Sequence, residues 1–288
     1  MKKIISEQSL KDKIKVLARK QKIDTAKFQT IVVFERVVAR LLTRDFIREN
    51  MVFSGGFVMI KSYDSERFTK DLDAIVRDVP TKKLFDEVKT ALTTDLGDGF
   101  QFWNVEEENL DMKSGYAGIR YKFHYKLGEP LAPDLDFKHY SKLHFDVSID
   151  TDKLMLPIEA QLTPSLSEHE PFSWSIYPPE YIIADKFHAT FSRQGQSTRA
   201  KDIYDLSLLL PDVEDVPELM KAVDFIFALL KTEVPKSFHA ELSSYPTRVL
   251  ENVWLTAVEF RRPVSFKDSW STVLEHLKRI DNVREDNR

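Results

Sequence analysis

The chain has 288 residues, of which 42% are hydrophobic, with 20 Phe, 4 Trp and no cysteine. That content suits one large or two modest folded domains and excludes a disordered chain; zero cysteine excludes disulfides, thiolate zinc sites and cysteine nucleophiles, so any metal must sit on oxygen or imidazole. Lys plus Arg number 42 against 46 Asp plus Glu, a net charge of −4, which argues against a surface that is wholly a nucleic-acid platform.

The first fifty residues carry thirteen Lys or Arg against six acids. They form either a local basic face for a polyanion or simply solvated helix faces. No run approaches eighteen apolar residues, and MKKIISEQSLKDKIKVLARK lacks the continuous apolar segment of a signal peptide, so a cytoplasmic protein without a membrane span is expected. This region reads as a helix pair with a turn near QKIDTAKF; the second member, FQTIVVFERVVARLLTRDFI, repeats its apolar residues at three and four. MVFSGG reads as a short strand ending at Gly55 and Gly56, FVMIKSY as a short helix, and DLDAIV as a second strand with its aspartates at the entry.

After Pro80, TKKLFDEVKTALTTDL has helical spacing and stops at Gly97 and Gly99. The sequence then becomes β-rich. GIRYKFHYKL alternates, and in KLHFDVSID the residues Leu143, Phe145, Val147 and Ile149 fall on one face with His144, Asp146, Ser148 and Asp150 on the other. From PPEYIIADKFHATFSR onward the chain turns helical, through TRAKDIYDLSLLL, ELMKAVDFIFALLKTE and the segment after Val249. The expected organisation is α/β over residues 1–173 and helical over residues 174–288, without internal repeats.

Asp71 and Asp73 leave the same face of their strand with Cα atoms ~6–7 Å apart, a spacing at which two carboxylates can bracket a divalent cation. Magnesium takes hard oxygen ligands, commonly one or two carboxylates with phosphate oxygens and water, and a pair of such ions clamps the attacking and leaving oxygens of phosphoryl transfer. Asp146 on a later strand is the first candidate for a third carboxylate, with Asp150, Asp152 and Asp136 as competitors. Gly55 and Gly56, lacking Cβ atoms, would let backbone N–H groups approach phosphate, and Ser54 would add a hydroxyl. Lys186 stands on a helix whose apolar face holds Ile182, Ile183, Phe187 and Phe191, so it could reach a triphosphate from a packed support; a snorkelling surface lysine is the plain alternative. Asp202 could orient Lys186 or touch the nucleotide, and Asp205 is as well placed to be a structural ion-pair partner. His144 and His188 are read as hydrogen-bonded structural residues rather than ligands.

Gly55-Gly56 followed by KDLDAIV resembles the signature of the DNA polymerase β-like nucleotidyltransferase superfamily. More narrowly, FERVVARLL, MVFSGGFVMIK, RFTKDLDAIV, HFDVSID and ADKFHATFSR…TRAKDIYDLSLLL, in this order from Phe34 to Leu210, are similar to the AbiEii/AbiGii toxin family of type IV toxin–antitoxin systems, which includes the MenT toxins. The resemblance implies a mixed-sheet nucleotidyltransferase core followed by a helical region that completes the nucleotide site. It implies two Mg2+ ions on Asp71, Asp73 and Asp146, and phosphate contacts from Ser54, Gly55, Gly56, Lys186, Arg199 and Lys201. Asp202 joins the catalytic set. The implied reaction transfers a nucleoside monophosphate from a nucleoside triphosphate to an acceptor hydroxyl, with the tRNA 3′ end the leading acceptor and a cognate antitoxin as partner. A protein or small-molecule acceptor, and a nucleotide-binding regulatory module without turnover, are the other readings.

Overall fold

The computed structural model describes residues 5–77, 79–111, 117–128, 140–149, 156–192, 200–257 and 259–286. Three helices open the chain, α1 (Glu7–Gln21), α2 (Thr25–Leu41) and the short α3 (Asp45–Asn50), where the sequence reading expects a pair. Their ends follow from local chemistry: the side chains of Ser6 and Asp24 accept hydrogen bonds from free backbone N–H groups of the first turns of α1 and α2. Strand β1 (Met51–Ser54) then runs into α4 (Gly55–Ser62), and β2 (Leu72–Val76) follows. Helix α5 (Thr81–Thr93) precedes β3 (Phe100–Asp111), β4 (Ala117–Leu127), β5 (Ser141–Ile149), β6 (Ile158–Leu162) and β7 (Phe172–Ile176).

These strands form one seven-stranded sheet in the order β3-β4-β5-β2-β1-β7-β6. It is mixed: β2 pairs parallel with β5 and β1 parallel with β7, while the remaining neighbours are antiparallel. Alternation sorts the faces as a half-buried sheet requires. Phe123, Tyr121, Phe145 and Val147 are buried, and Tyr121 stacks on Phe145 with ring centroids 5.0 Å apart. Near the glycines the core is aromatic, with Phe57 of α4 edge-on to both Phe34 and Trp174.

The chain divides into two compact units, residues 1–62 with 69–176, and residues 63–68 with 177–288. The boundary therefore falls after Ile176 rather than after residue 173, because β7 completes the sheet. Six of the nine residues between α4 and β2, residues 63–68, belong to the second unit, an assignment without a periodic signal in the sequence. That unit contains α6 (Pro179–Phe191), α7 (Ala200–Leu209), a 3-10 turn at Leu210–Asp212, α8 (Val216–Leu229), α9 (Phe238–Ser243), α10 (Thr247–Ala257) and α11 (Phe266–Asp286). Phe187, Phe191 and Phe238 are mutually packed in its core. Asp215 caps α8 by accepting from the Glu218 N–H. Among the described residues no helix is long and apolar enough to cross a membrane.

Candidate functional site

In the first unit the register of five strands lines up three polar residues singled out by the sequence, Ser54, Asp73 and Asp146, with two that were not, Arg120 and Glu108. Ser54 of β1 opposes Asp73 of β2, Asp73 opposes Asp146 of β5, Asp146 opposes Arg120 of β4, and Arg120 opposes Glu108 of β3. Directly opposed residues share a face, so this is one continuous polar row. Neighbouring strands lie ~4.8 Å apart, which brings the Asp73 and Asp146 side chains next to each other.

The glycine turn and the carboxylates meet in a single contact. Gly55 has φ +73°, and a Cβ built there would fall 2.1 Å from Oδ2 of Asp73. The Asp73 carboxylate thus occupies the space that any other residue at position 55 would fill with its side chain. Both the left-handed backbone and the close approach require glycine. Gly56 is buried in the first turn of α4 and needs no such conformation.

Asp71 lies just before β2, with half of its side chain exposed, and its Oδ1 is 3.0 Å from Nε2 of His144. Asp146 is held by Arg120, whose Nε and Nη2 each donate to one carboxylate oxygen at 2.7 Å. The hydrogen bonds and charge of Asp146 raise the pKa of Arg120 above its ordinary value. Glu108 and Glu106 of β3 take Lys122 at 2.6 Å and Lys142 at 3.1 Å. Among the described residues no group of three or more His, Asp or Glu side chains is gathered closely enough to hold a metal ion. Asp71 and Asp73 supply hard oxygen donors of the type magnesium prefers, and magnesium commonly uses only one or two carboxylates beside phosphate and water. The donor chemistry therefore fits that ion, with Asp146 engaged elsewhere.

The second unit holds its own charge cluster. Asp205, fully buried on α7, accepts from Arg67 Nε at 2.6 Å and Nη2 at 2.9 Å, and from Lys186 Nζ of α6 at 2.5 Å. Asp202 accepts from the same ammonium at 3.4 Å. Burial alone would raise the Asp205 pKa, but the charges of Lys186 and Arg67 outweigh it and hold the carboxyl below its ordinary range. Glu66 N–H donates to the Tyr204 hydroxyl at 2.7 Å, and Arg67 forms a β-bridge with Phe260, so residues 63–68 are fastened within this unit. Lys201 is exposed on α7. Arg193, Arg199, Asp136, Asp150 and Asp152 lie outside the described residues.

Sequence reasoning missed Arg120 and Arg67. A usable signal for Arg120 was the strict alternation of GIRYKFHYKL, which puts Arg120, Lys122, His124 and Lys126 on one face. For Arg67 only a buried acid seeking a partner would have served, and Asp205 becomes one only in three dimensions.

A mixed sheet carrying a glycine turn against neighbouring carboxylates, with a helical unit after it, defines the class: a nucleotidyltransferase. Similarity to solved structures supports the fold. JHP933 from Helicobacter pylori has a TM-score of 0.59 at 18% identity, covering 92% of this chain and 95% of that one. A candidate nucleotidyltransferase from H. pylori has a TM-score of 0.54 at 20% identity and covers 99% of each. The family model described as nucleotidyl transferase AbiEii toxin, type IV TA system, matches residues 36–279, and the chain belongs to that family. No curated protein matches the sequence.

Proposed function

We propose that the protein is a magnesium-dependent enzyme that transfers a nucleoside monophosphate from a nucleoside triphosphate to a hydroxyl of RNA, the tRNA 3′ end being the leading acceptor, and that this arrests growth until a cognate antitoxin intervenes. The observation that carries the reading is the seating of the Asp73 carboxylate against Gly55, beside Asp146 in the same cross-strand row. A glycine turn and a carboxylate that must coexist at van der Waals contact serve phosphate chemistry better than they serve a solvated strand end.

Asp71 and Asp73 would hold the metal, and Ser54 with the backbone of Gly55 and Gly56 would face phosphate oxygens. A divalent ion bound there would withdraw charge from the phosphoryl oxygens and acidify the attacking hydroxyl. Asp146 would accept the acceptor's proton as that oxygen bonds to the α-phosphorus and the bond to pyrophosphate breaks. The geometry of Lys186 and Asp202 supports a structural role in the second unit, since the Lys186 ammonium is matched by Asp205 and Asp202. RNA as acceptor is supported by the family and by the basic first fifty residues, where Lys11, Lys15, Arg19, Lys20 and Lys22 are exposed.

The test is incubation of purified protein with each labelled triphosphate, magnesium and total RNA, beside Asp71→Asn with Asp73→Asn. Label entering tRNA-sized RNA, and at least a hundredfold less in the double variant, is expected. Label on protein alone would replace the acceptor. Nucleotide binding without any transfer would favour a regulatory module, a reading to which the engagement of Asp146 by Arg120 lends some support.

A further inference from the structure

Among the described residues three bidentate arginine–aspartate pairs stand out, and their burial separates them. In Arg40–Asp98 the side chains are 0% and 5% exposed, and in Arg67–Asp205 they are 9% and 0% exposed. Both are sealed from water, and breaking either would strand a buried charge. Arg120–Asp146 differs: its side chains are 30% and 23% exposed. A bidentate pair in contact with water exchanges its partners readily, because solvent lowers the cost of separating the charges. The guanidinium fork that grips a carboxylate fits a phosphate equally well.

Its place in the row is equally telling. Asp146 lies between Arg120 and Asp73, so its carboxylate faces a fixed cation on one side and a second carboxylate on the other. Without a bound cation, adjacent carboxylates repel, and a guanidinium on one of them relieves that repulsion. Arg120 takes one lone pair of each oxygen and sets its positive charge against them, so Asp146 holds a cation more weakly than a carboxylate without that partner would.

We propose that Arg120 is a positioning residue that withholds Asp146 from a bound cation until the anionic oxygens of a nucleoside triphosphate draw its guanidinium away. The inference rests on the metal-site reading above and adds an order to it: metal affinity is low in the free protein, and the triphosphate releases the third carboxylate by supplying Arg120 with a better anion. Metal and nucleotide are then thermodynamically coupled through one side chain.

The experiment uses the full chain and two probes that avoid turnover. Mn2+ alone is titrated by electron paramagnetic resonance, and inorganic triphosphate is titrated calorimetrically in excess chelator. Arg120→Gln should tighten Mn2+ about tenfold, the worth of a released charge-assisted pair, and weaken triphosphate by a similar factor. Opposite signs from a single substitution are the signature; a merely structural arginine would weaken both, and that result overturns the proposal. Lys122→Gln removes a nearby charge without touching Asp146, so an equal gain in Mn2+ affinity there would also overturn it. Arg120→Lys, which keeps the charge and loses the fork, should fall between, and it serves if the glutamine variant does not fold. Asp73→Asn separates the two layers: if it leaves Mn2+ binding unchanged, the metal-site reading fails, whereas loss of binding in Asp73→Asn with no change in Arg120→Gln fails the Arg120 inference alone.

Discussion

Gly55 is where conformation and chemistry are least separable. An alanine there must hold φ near +73° and place a methyl within the Asp73 carboxylate. Left-handed strain and displacement of the carboxylate act together, and each such backbone penalty is of order 1–3 kcal/mol. Gly55→Ala is therefore expected to lower the stability of the first unit by ~1–3 kcal/mol and to abolish nucleotide transfer. Adding Asp73→Ala removes the carboxylate part of the clash but leaves the Cβ of residue 73 at 2.9 Å and the strained φ. The double variant should thus regain part of the lost denaturation midpoint and none of the activity. Strict additivity of the two stability changes would show that no contact couples them. Arg67 and Asp205 give the opposite lesson at the same scale: both are buried, and their bidentate pairing explains a segment that otherwise reads as a polar loop.

Among whole elements, α2 shows how a charged helix face becomes part of a core. Arg36 and Arg40 project from it onto Asp98, just before β3, with Arg40 Nη2 2.7 Å from Oδ1 of Asp98 and 2.7 Å from the Phe100 carbonyl oxygen. Burial would raise the Asp98 pKa, but the Arg40 hydrogen bonds and the two positive charges hold it below its ordinary value. Asp98→Asn should cost about 3–5 kcal/mol, measured by guanidinium unfolding, because two buried guanidinium groups lose their counter-charge; a loss under 1 kcal/mol would mean that water reaches the cluster. The longer helices were legible from apolar spacing, though the break that makes α3 a separate helix was not, and β1, β2, β4 and β5 were legible from their short runs and alternation. The glycine turn and the paired aspartates were legible as well, since both are local features. Register was not. The pairing of β5 with β2 joins residues more than seventy positions apart, and only that pairing sets Asp146 beside Asp73 and Arg120 beside Asp146. In the same way Lys186 was visible as a half-buried lysine, while its closer partner proved to be Asp205 rather than Asp202.

Over the molecule as a whole, the titrating groups combine to give stability a single direction with pH. His169, His276 and His124 all have lowered pKa values, in each case chiefly because burial disfavours the charged ring. The ordinary value is about 6.5, so as pH falls below it the unfolded chain takes up protons that the folded chain refuses. Stability supplied by these rings is complete above about pH 6.5 and is lost as pH falls through their folded values. Asp98 and Asp205 are lowered too, and the same sign follows: their contribution is complete above the ordinary carboxylate value of about 4 and is lost below it. Acidification from pH 8 to pH 3 should therefore lower the melting temperature in two stages, one beginning near pH 6.5 and a steeper one below pH 4. Added salt should change the second stage little, because Asp98 and Asp205 are paired out of reach of mobile ions. A melting temperature flat between pH 7 and 5 would show that the three histidines titrate alike in both states; a second stage abolished by salt would show that its carboxylates lie at the surface.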